Sequence, residues 1–426
     1  MRVLQVNKFL HTVGGAESVL FQTSDLLKAH GHEVSYFAMQ DDRNIPTEDD
    51  GYFVSNVAYE GGLHRSAADR LKLPFVAGRF LYSREAAQKI EALIREKRPS
   101  VAHLHNIYHQ ISPSILAPLK RHGIPAVMTL HDYKLICPNY TLFSDGAICE
   151  RCKGHRYYEA VLQKCVKGSS LSAALCAVEA YAHRFTGAYE TGIDAYIAPS
   201  EFMRAKMIDF GMDPQRIACL PNFLNLEGYT PRYAPGSYFV YAGRLERVKG
   251  IATLLDAMPS GDEAGLELRI AGDGEMRGEL EQRVRAAGRN NVRFLGRLPR
   301  DDLGRLIQDA LFVVLPSEWY ENAPMSVLEA FAYGKPVIGS RIGGIPELIA
   351  DGSTGLLVEP GNALDLRRAI DHLATHPDLA VEMGRSARRY VEARHGAEKH
   401  YEGLLAIYEA AQAAQPDGSS RTGGAR

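Results

Sequence analysis

Short apolar runs and amphipathic stretches alternate along this chain almost from its first residue. "RVLQVN" is an apolar run with β-branched residues, the loop "HTVGGAES" follows, and in "VLFQTSDLLKAHGHEV" the apolar residues recur at helical spacing up to a glycine stop. That reads as strand, loop, helix, strand. "EAAQKIEALIREKRPS" continues as helix, "VAHLHN" as strand, "SPSILAPLKRHGIP" as helix, and "AVMTLHD" and "IDAYIAPS" as strands. Residues 220 to 237, "LPNFLNLEGYTPRYAPGS", are rich in Pro, Asn and Gly and read as a linker. A second series then begins: "YFVYAGRL", "LELRIAGDG", "VRFLGRL", "LFVVLPS", "KPVIGS" and "TGLLVEP" as strands, with helical patterns between them. Alternation of this kind predicts parallel sheets covered by helices on both faces, so the fold class is α/β with two doubly wound, Rossmann-like halves facing a crevice.

The expected organisation is a first domain over 1–218 with a cysteine-bearing insertion at 137–165, a linker at 219–236, and a second domain over 237–385. A helical region at 386–412 packs back on the first domain, and 413–426, small and polar, form a disordered tail.

At 426 residues the chain is too long for one ordinary core, which agrees with two domains. A formal net charge of −2 gives no reason to expect nucleic acid. No apolar run approaches the 18 or so residues of a spanning helix, and "MRVLQVNKF" lacks the pattern of a signal peptide, so the expected location is cytoplasmic.

Ligands of open α/β sheets bind beyond the carboxyl ends of the strands, and the chemistry-bearing residues cluster there. Gly14 and Gly15 follow the first strand and allow close backbone approach; a plain turn accounts for them equally. His105 and Asn106 follow "VAHL", and His131 and Asp132 follow "AVMTL", the second pair in the more polar surroundings. Arg244 and Lys249 lie in "YAGRLERVKG", where a fork donor and a point cation suit a diphosphate. Gly243, Gly272 and Asp273 also follow strands. In "SEWYENAPMSVLEAFAYGKPVIGS", Glu321 and Glu329 would stand roughly 80° and about 12 Å apart on one continuous helix, a poor acid/base pair. Pro324 argues otherwise: it forces the preceding residue out of helix and starts a helix behind it. Glu321 then lies in a loop and Glu329 in the second turn, flanking a helix N-terminus that attracts anions.

"CPNYTLFSDGAICERCKGHRYYEAVLQKC" places a C-x-x-C between two more distant cysteines. Cys137, Cys149, Cys152 and Cys165 are compatible with a structural zinc site, with free thiols, or with redox-labile disulfides.

The combination of "GGAE", "TLHDYKLICPN", "YAGRLERVKG", "AGDG", "FLG", "PSEWYENAPMSVLEAFAYGKPVIGSRIGGIPE" and "DGSTGLLVEPGN", in this order, closely resembles the retaining glycosyltransferases of GT-B fold whose signature is Glu, seven residues, Glu, the family 4-like class. The resemblance covers roughly residues 1 to 400. It implies transfer of a sugar from a nucleoside-diphosphate sugar, UDP- or GDP-linked, to a hydroxyl of a glycan, glycolipid or small-molecule acceptor. By it, Glu329 binds ribose hydroxyls, Glu321 contacts the donor sugar, and amides around Asn322, Ala323, Pro324 and Met325 cradle donor oxygens. Arg244 and Lys249 stabilise the departing phosphate, His131 lies near the donor sugar, and no catalytic metal is needed. His105, Asn106 and Asp132 fall on the acceptor side. Members acting on lipid-linked acceptors dock on membranes through the first domain; here Arg65, Arg70, Lys72, Arg79, Arg84, Lys153, Arg156, Lys164 and Lys167 suit such a peripheral contact or a solvated surface. Rival expectations are a GT-B sugar-nucleotide epimerase and a non-catalytic sugar-nucleotide-binding subunit.

Overall fold

The computed structural model describes residues 1–56, 78–259 and 266–415. Arg65, Arg70 and Lys72 lie outside these, as does the tail beyond Gln415. Two six-stranded parallel sheets organise the chain. The first is built from β1 (Arg2–Val6), β2 (Glu33–Phe37), β3 (Val101–Leu104) and β4 (Ala126–Thr129). A two-stranded hairpin, β5 (Phe143–Ser144) and β6 (Ala147–Ile148), intervenes before β7 (Ala195–Ala198) and β8 (Ile217–Cys219) complete the sheet in the order β2-β1-β3-β4-β7-β8. The second sheet comprises β9 (Tyr238–Ala242), β10 (Glu267–Ala271), β11 (Val292–Gly296), β12 (Val313–Leu315), β13 (Val337–Ser340) and β14 (Gly355–Val358), ordered β11-β10-β9-β12-β13-β14.

Helices cover both faces of the central strands, where Val3, Leu4 and Val6 of β1 are fully buried, whereas the edge strand β11 leaves Arg293 and Leu295 exposed. In each sheet the strand order reverses once, between β1 and β3 and between β9 and β12, and the loops beyond those strands are the expected ligand sites. The loop after β9 carries Lys249 and the loop after β12 carries Glu321, so sheet topology alone brings them to one place.

The chain crosses between halves twice. Residues after β8 pass to the second sheet, and the return falls at His395–Gly396, between helices Pro377–Arg394 and Ala397–Ala413. The expected start of the returning region at 386 is therefore too early: Ala387 and Val391 pack in the core of the second half. The crossings lie side by side, with Leu224 N–H donating to the His395 carbonyl at 3.0 Å and His400 Nδ1 2.9 Å from the Pro221 carbonyl. Helix Ala397–Ala413 then covers the first sheet, packing Leu404, Tyr408 and Ala411 against Val3, Val101, Val127 and Ile197.

Within that contact the Tyr408 hydroxyl lies 2.7 Å from Nδ1 of His103, a buried residue of β3. Tyr408→Phe leaves a buried ring nitrogen without its partner, and we expect a loss of about 1–3 kcal/mol. The urea midpoint should fall relative to wild type, while Tyr158→Phe at an exposed position should leave it in place; equal midpoints for Tyr408→Phe and wild type would contradict this.

Candidate active site

Glu321 is 6% exposed and lies in the loop between β12 and the helix Met325–Ala332. Its Oε1 accepts from Lys249 Nζ at 2.6 Å and from Ser317 Oγ at 2.7 Å. Burial opposes the charge, but Lys249, aided by Ser317, outweighs it and holds the carboxyl below its usual range. Lys249 also lies over the Trp319 ring, 5.1 Å from its centroid. The approach of the two loops depends on Gly250, whose φ is +68° and where a Cβ would stand 1.9 Å from the Pro316 carbonyl oxygen. From the other side, Gly344 N–H donates to the Glu321 carbonyl at 2.8 Å. Ser317, Trp319, Gly250 and Gly344 were not singled out from the sequence, although "SRIGGIPE" was a visible signal for the last.

Pro324 is the N-cap of the helix, one position earlier than its expected place as first helical residue. Its extended ψ of 118° keeps Glu321 to Ala323 out of the helix. Glu329 stands in the second turn, half-buried, with its carboxyl raised to about 7 by burial and partly restrained by Arg300. Arg300, like Ser317, was missed, since "RLPRDDL" carries no site signal. Asn322 spans the crevice, its Nδ2 donating to the Leu130 carbonyl at 2.9 Å, just before His131.

Arg244 does not join Lys249. It is exposed and bonds Glu246 at 2.6 Å. Gly243 and Gly272 meet back to back: a Cβ on Gly272 would lie 1.8 Å from the Gly243 carbonyl, so this glycine serves the packing of two strand-end loops. Asp273 pairs with Arg277 at 3.1 Å and caps Gly274 N–H.

In the first half, Gly14 and Gly15 are exposed at the start of helix Gly15–Ala29 with nothing within 4 Å of a Cβ added to either. Glu17 caps Gly14 N–H at 2.9 Å. His131 is half-buried and burial lowers it to about 4, so it is neutral at ordinary pH. Asp132, beside it, is raised to about 6 by burial. Lys134 anchors this loop through Glu179, 2.9 Å away, on helix Ser170–Thr186. His105 corrects its expected acceptor-side place: it has no exposed surface, and its neighbours occupy both ring nitrogens. Asn106 is half-buried, with its N–H donating to Asn7 Oδ1.

The insertion leans across the crevice, where Glu150 accepts from Tyr320 OH at 3.0 Å. All four of its cysteines are free thiols. Among the described residues no group of three or more His, Cys, Asp or Glu is arranged to hold a metal ion. Burial, then the neighbouring thiols, raises Cys152 and pushes Cys165 up to about 12. Of the basic residues expected at a surface, Arg79 is buried and spent internally, on Glu85 at 3.2 Å and the Ser55 carbonyl at 2.6 Å. Lys153 pairs with Asp209 at 2.6 Å, while Arg84, Arg156, Lys164 and Lys167 are exposed.

Known proteins match the chain along its length. The family model "Glycosyltransferase Family 4" matches residues 13–227, half of the chain, and "Glycosyl transferases group 1" matches 230–390. Among curated relatives, the D-rhamnosyltransferase WbpZ of Pseudomonas aeruginosa is 34% identical over 199 residues, 45% of this chain and 51% of that protein. The D-inositol 3-phosphate glycosyltransferase of Pseudarthrobacter chlorophenolicus is 31% identical over 215 residues, 46% of this chain and 51% of that protein. The aligned region thus spans about half the length of the curated relatives. Two solved structures share the fold: Anabaena Alr3699/HepE in complex with UDP and glucose, with a TM-score of 0.68 at 17% identity, covering 96% of this chain and 100% of that one, and the sucrose-phosphate synthase of Thermosynechococcus elongatus, with a TM-score of 0.69 at 20% identity, covering 97% and 99%. Two parallel α/β halves facing a crevice, with both family matches laid end to end across them, make this chain a member of the family 4 glycosyltransferases of GT-B fold.

Proposed function

We propose that the chain is a retaining glycosyltransferase moving a sugar from a UDP- or GDP-linked donor onto a hydroxyl of a glycan, glycolipid or small-molecule acceptor, in polysaccharide or glycoconjugate assembly. One observation carries the reading: a lysine and a buried carboxylate, 2.6 Å apart, stand at the switch point of the second sheet, just ahead of a helix N-terminus. A diphosphate belongs at such an N-terminus. Lys249, joined by Arg244 once a ligand draws it from Glu246, neutralises the leaving phosphate. Glu321 and Glu329 accept from hydroxyls of the donor sugar and the ribose. Acceptor attack from the leaving-group face gives retention, with the acceptor proton passing to the departing phosphate oxygen, so no side-chain nucleophile is required. Lys249 and Arg244 supply the charge that a metal would otherwise provide. The UDP bound by the Anabaena neighbour supports a uridine donor.

The deciding experiment incubates the protein with UDP-, GDP-, ADP- and dTDP-sugars and follows nucleotide release with and without acceptor extracts. Acceptor-dependent release is expected. Interconversion of the sugar without acceptor would indicate an epimerase, and binding with no turnover a silent subunit.

Lys249→Ala should lower kcat on the order of 100-fold and affect donor affinity less, because phosphate charge grows toward the transition state. A change confined to KM would contradict the role. The variant should also be less stable, since Glu321 is left buried without its cation.

Glu329 gives a pH dependence. Its folded pKa is raised to about 7, while the ribose contact uses the carboxylate. Nucleotide-sugar affinity should therefore be weak below pH 6, rise through 7, and flatten above 8, with proton release on binding near pH 7. Calorimetry in two buffers of different ionisation enthalpy measures this; Glu329→Gln should abolish the dependence, and its persistence in that variant would reassign it.

A peripheral membrane contact at the cytoplasmic face is part of the proposal. No described helix is long and apolar enough to cross a membrane. Helix Ser170–Thr186, however, buries Glu179 and His183 beside Ala173, Cys176 and Ala177, while Leu171, Val178, Tyr181 and Phe185 form an exposed stripe, Phe185 being 94% exposed. Tyr158 and Leu162 are exposed on the segment packed against it, whose cations include Arg156, Lys164 and Lys167. Cosedimentation with anionic vesicles, reduced at least tenfold by Val178→Glu with Phe185→Glu, is the expected result. No binding by the wild type would remove the contact.

A further inference from the structure

His105 follows β3 as a site residue should, yet no part of it reaches water. Its Nε2 lies 2.9 Å from Gln5 Oε1, and its Nδ1 lies 2.7 Å from His131 Nε2. Gln5 stands on β1 and is 1% exposed. The His105 ring lies between those of His103 and His131, at centroid distances of 4.5 and 5.0 Å, and meets His131 edge to edge, their planes only 19° apart. Burial keeps all three imidazoles neutral, and a neutral imidazole carries one N–H.

The orientation of the Gln5 amide sets a direction. Its oxygen faces His105 while its Nε2 is buried without a partner among the described residues; the oxygen can only accept, so His105 Nε2 carries the hydrogen and His105 Nδ1 is a lone pair. A lone pair facing His131 Nε2 requires the hydrogen to be on that atom, which leaves His131 Nδ1 bare. Nδ1 has no partner among the described residues, and His131 keeps part of its surface exposed, next to the Leu130 carbonyl that meets Asn322 from the opposite half. His103 imposes no such direction, because its two partners, Thr129 Oγ1 and Tyr408 OH, are hydroxyls that can donate or accept.

We propose that Gln5 and His105 are positioning residues that set the tautomer of His131, so that His131 offers Nδ1 to the crevice as an acceptor for a donor-sugar hydroxyl. The last clause rests on the reading of His131 as a donor contact. Ground state and transition state then meet a histidine that needs no proton rearrangement, and a sugar hydroxyl at that position is required to donate.

Spectra of the ligand-free protein with 15N-labelled histidine test the relay, with the His131 signals assigned by their loss in His131→Gln. Wild type should be protonated at Nε2 and bare at Nδ1. Gln5→Met, close in volume but without the amide oxygen, should give mixed tautomers and a three- to tenfold fall in kcat/KM for the donor. Gln5→Glu should retain the Nε2 tautomer, because a carboxylate also accepts. Its charge should favour a protonated imidazole pair and move the acid limb of the pH–kcat/KM profile to higher pH, a shift that lost packing alone would not produce. His131 protonated at Nδ1 in the wild type would overturn the proposal, as would Gln5→Met with unchanged tautomer and kinetics. Because the spectra need no substrate, failure of the donor reading is distinguishable from failure of the relay.

Discussion

A carboxylate removed from water must be met by charge or hydrogen-bond donors, and Glu321 is the residue through which that requirement shapes the second half. Its partner Lys249 comes from a loop 72 residues away in sequence. Both loops belong to adjacent strands, β9 and β12, so the pairing costs no special connection. The demand then spreads outward. Lys249 reaches only because Gly250 admits the Pro316 carbonyl, and the Glu321 backbone is fixed by Gly344 from the loop after β13. Three loop segments, those after β9, β12 and β13, thereby meet at one buried ion pair.

The first half solves the opposite problem. Histidines on β3 and in the loops beyond β3 and β4 are held neutral by burial and tied to Gln5, Thr129 and Tyr408. Neutral groups need no counter-charge, so under the proposed function this side of the crevice would orient a ligand without competing for its phosphate. Of the charged groups nearby, Lys134 and Glu179 neutralise each other, and Asp132, raised to about 6 by burial, is a carboxylate above that pH. The proposed function thereby assigns phosphate charge to the second half and neutral hydrogen-bond geometry to the first.

Much of this was legible in the sequence, because parallel strands buried on both faces and the helices between them leave strong periodic signals. Pro324 separated Glu321 from Glu329 for a local backbone reason that needs no tertiary information. Pairing was not legible. Arg244 faces Glu246 two residues on, Arg79 turns inward to Glu85, and His105 is sealed beneath His131; each depends on which face of a loop or strand the packing buries. The crossing at His395 was missed because helical pattern runs through both 377–394 and 397–413, and the break between them is marked only by "HG".

The ion pair also bears on how the proposed reaction starts. Without ligand, Lys249 is already satisfied by Glu321, so a diphosphate gains its cation only in exchange for that contact. The exchange leaves Glu321 buried without its cation, with only the neutral side chains of Ser317 and Trp319 beside it, a costly state unless another donor arrives. A donor sugar supplies hydroxyls where its diphosphate supplies charge, so one molecule satisfies both members of the pair at once. A nucleoside diphosphate alone would take Lys249 and strand Glu321. Under the proposed function, the same pair that holds the loops together in the empty protein therefore discriminates the intact nucleotide sugar from its product, and favours departure of the product once the sugar has been transferred.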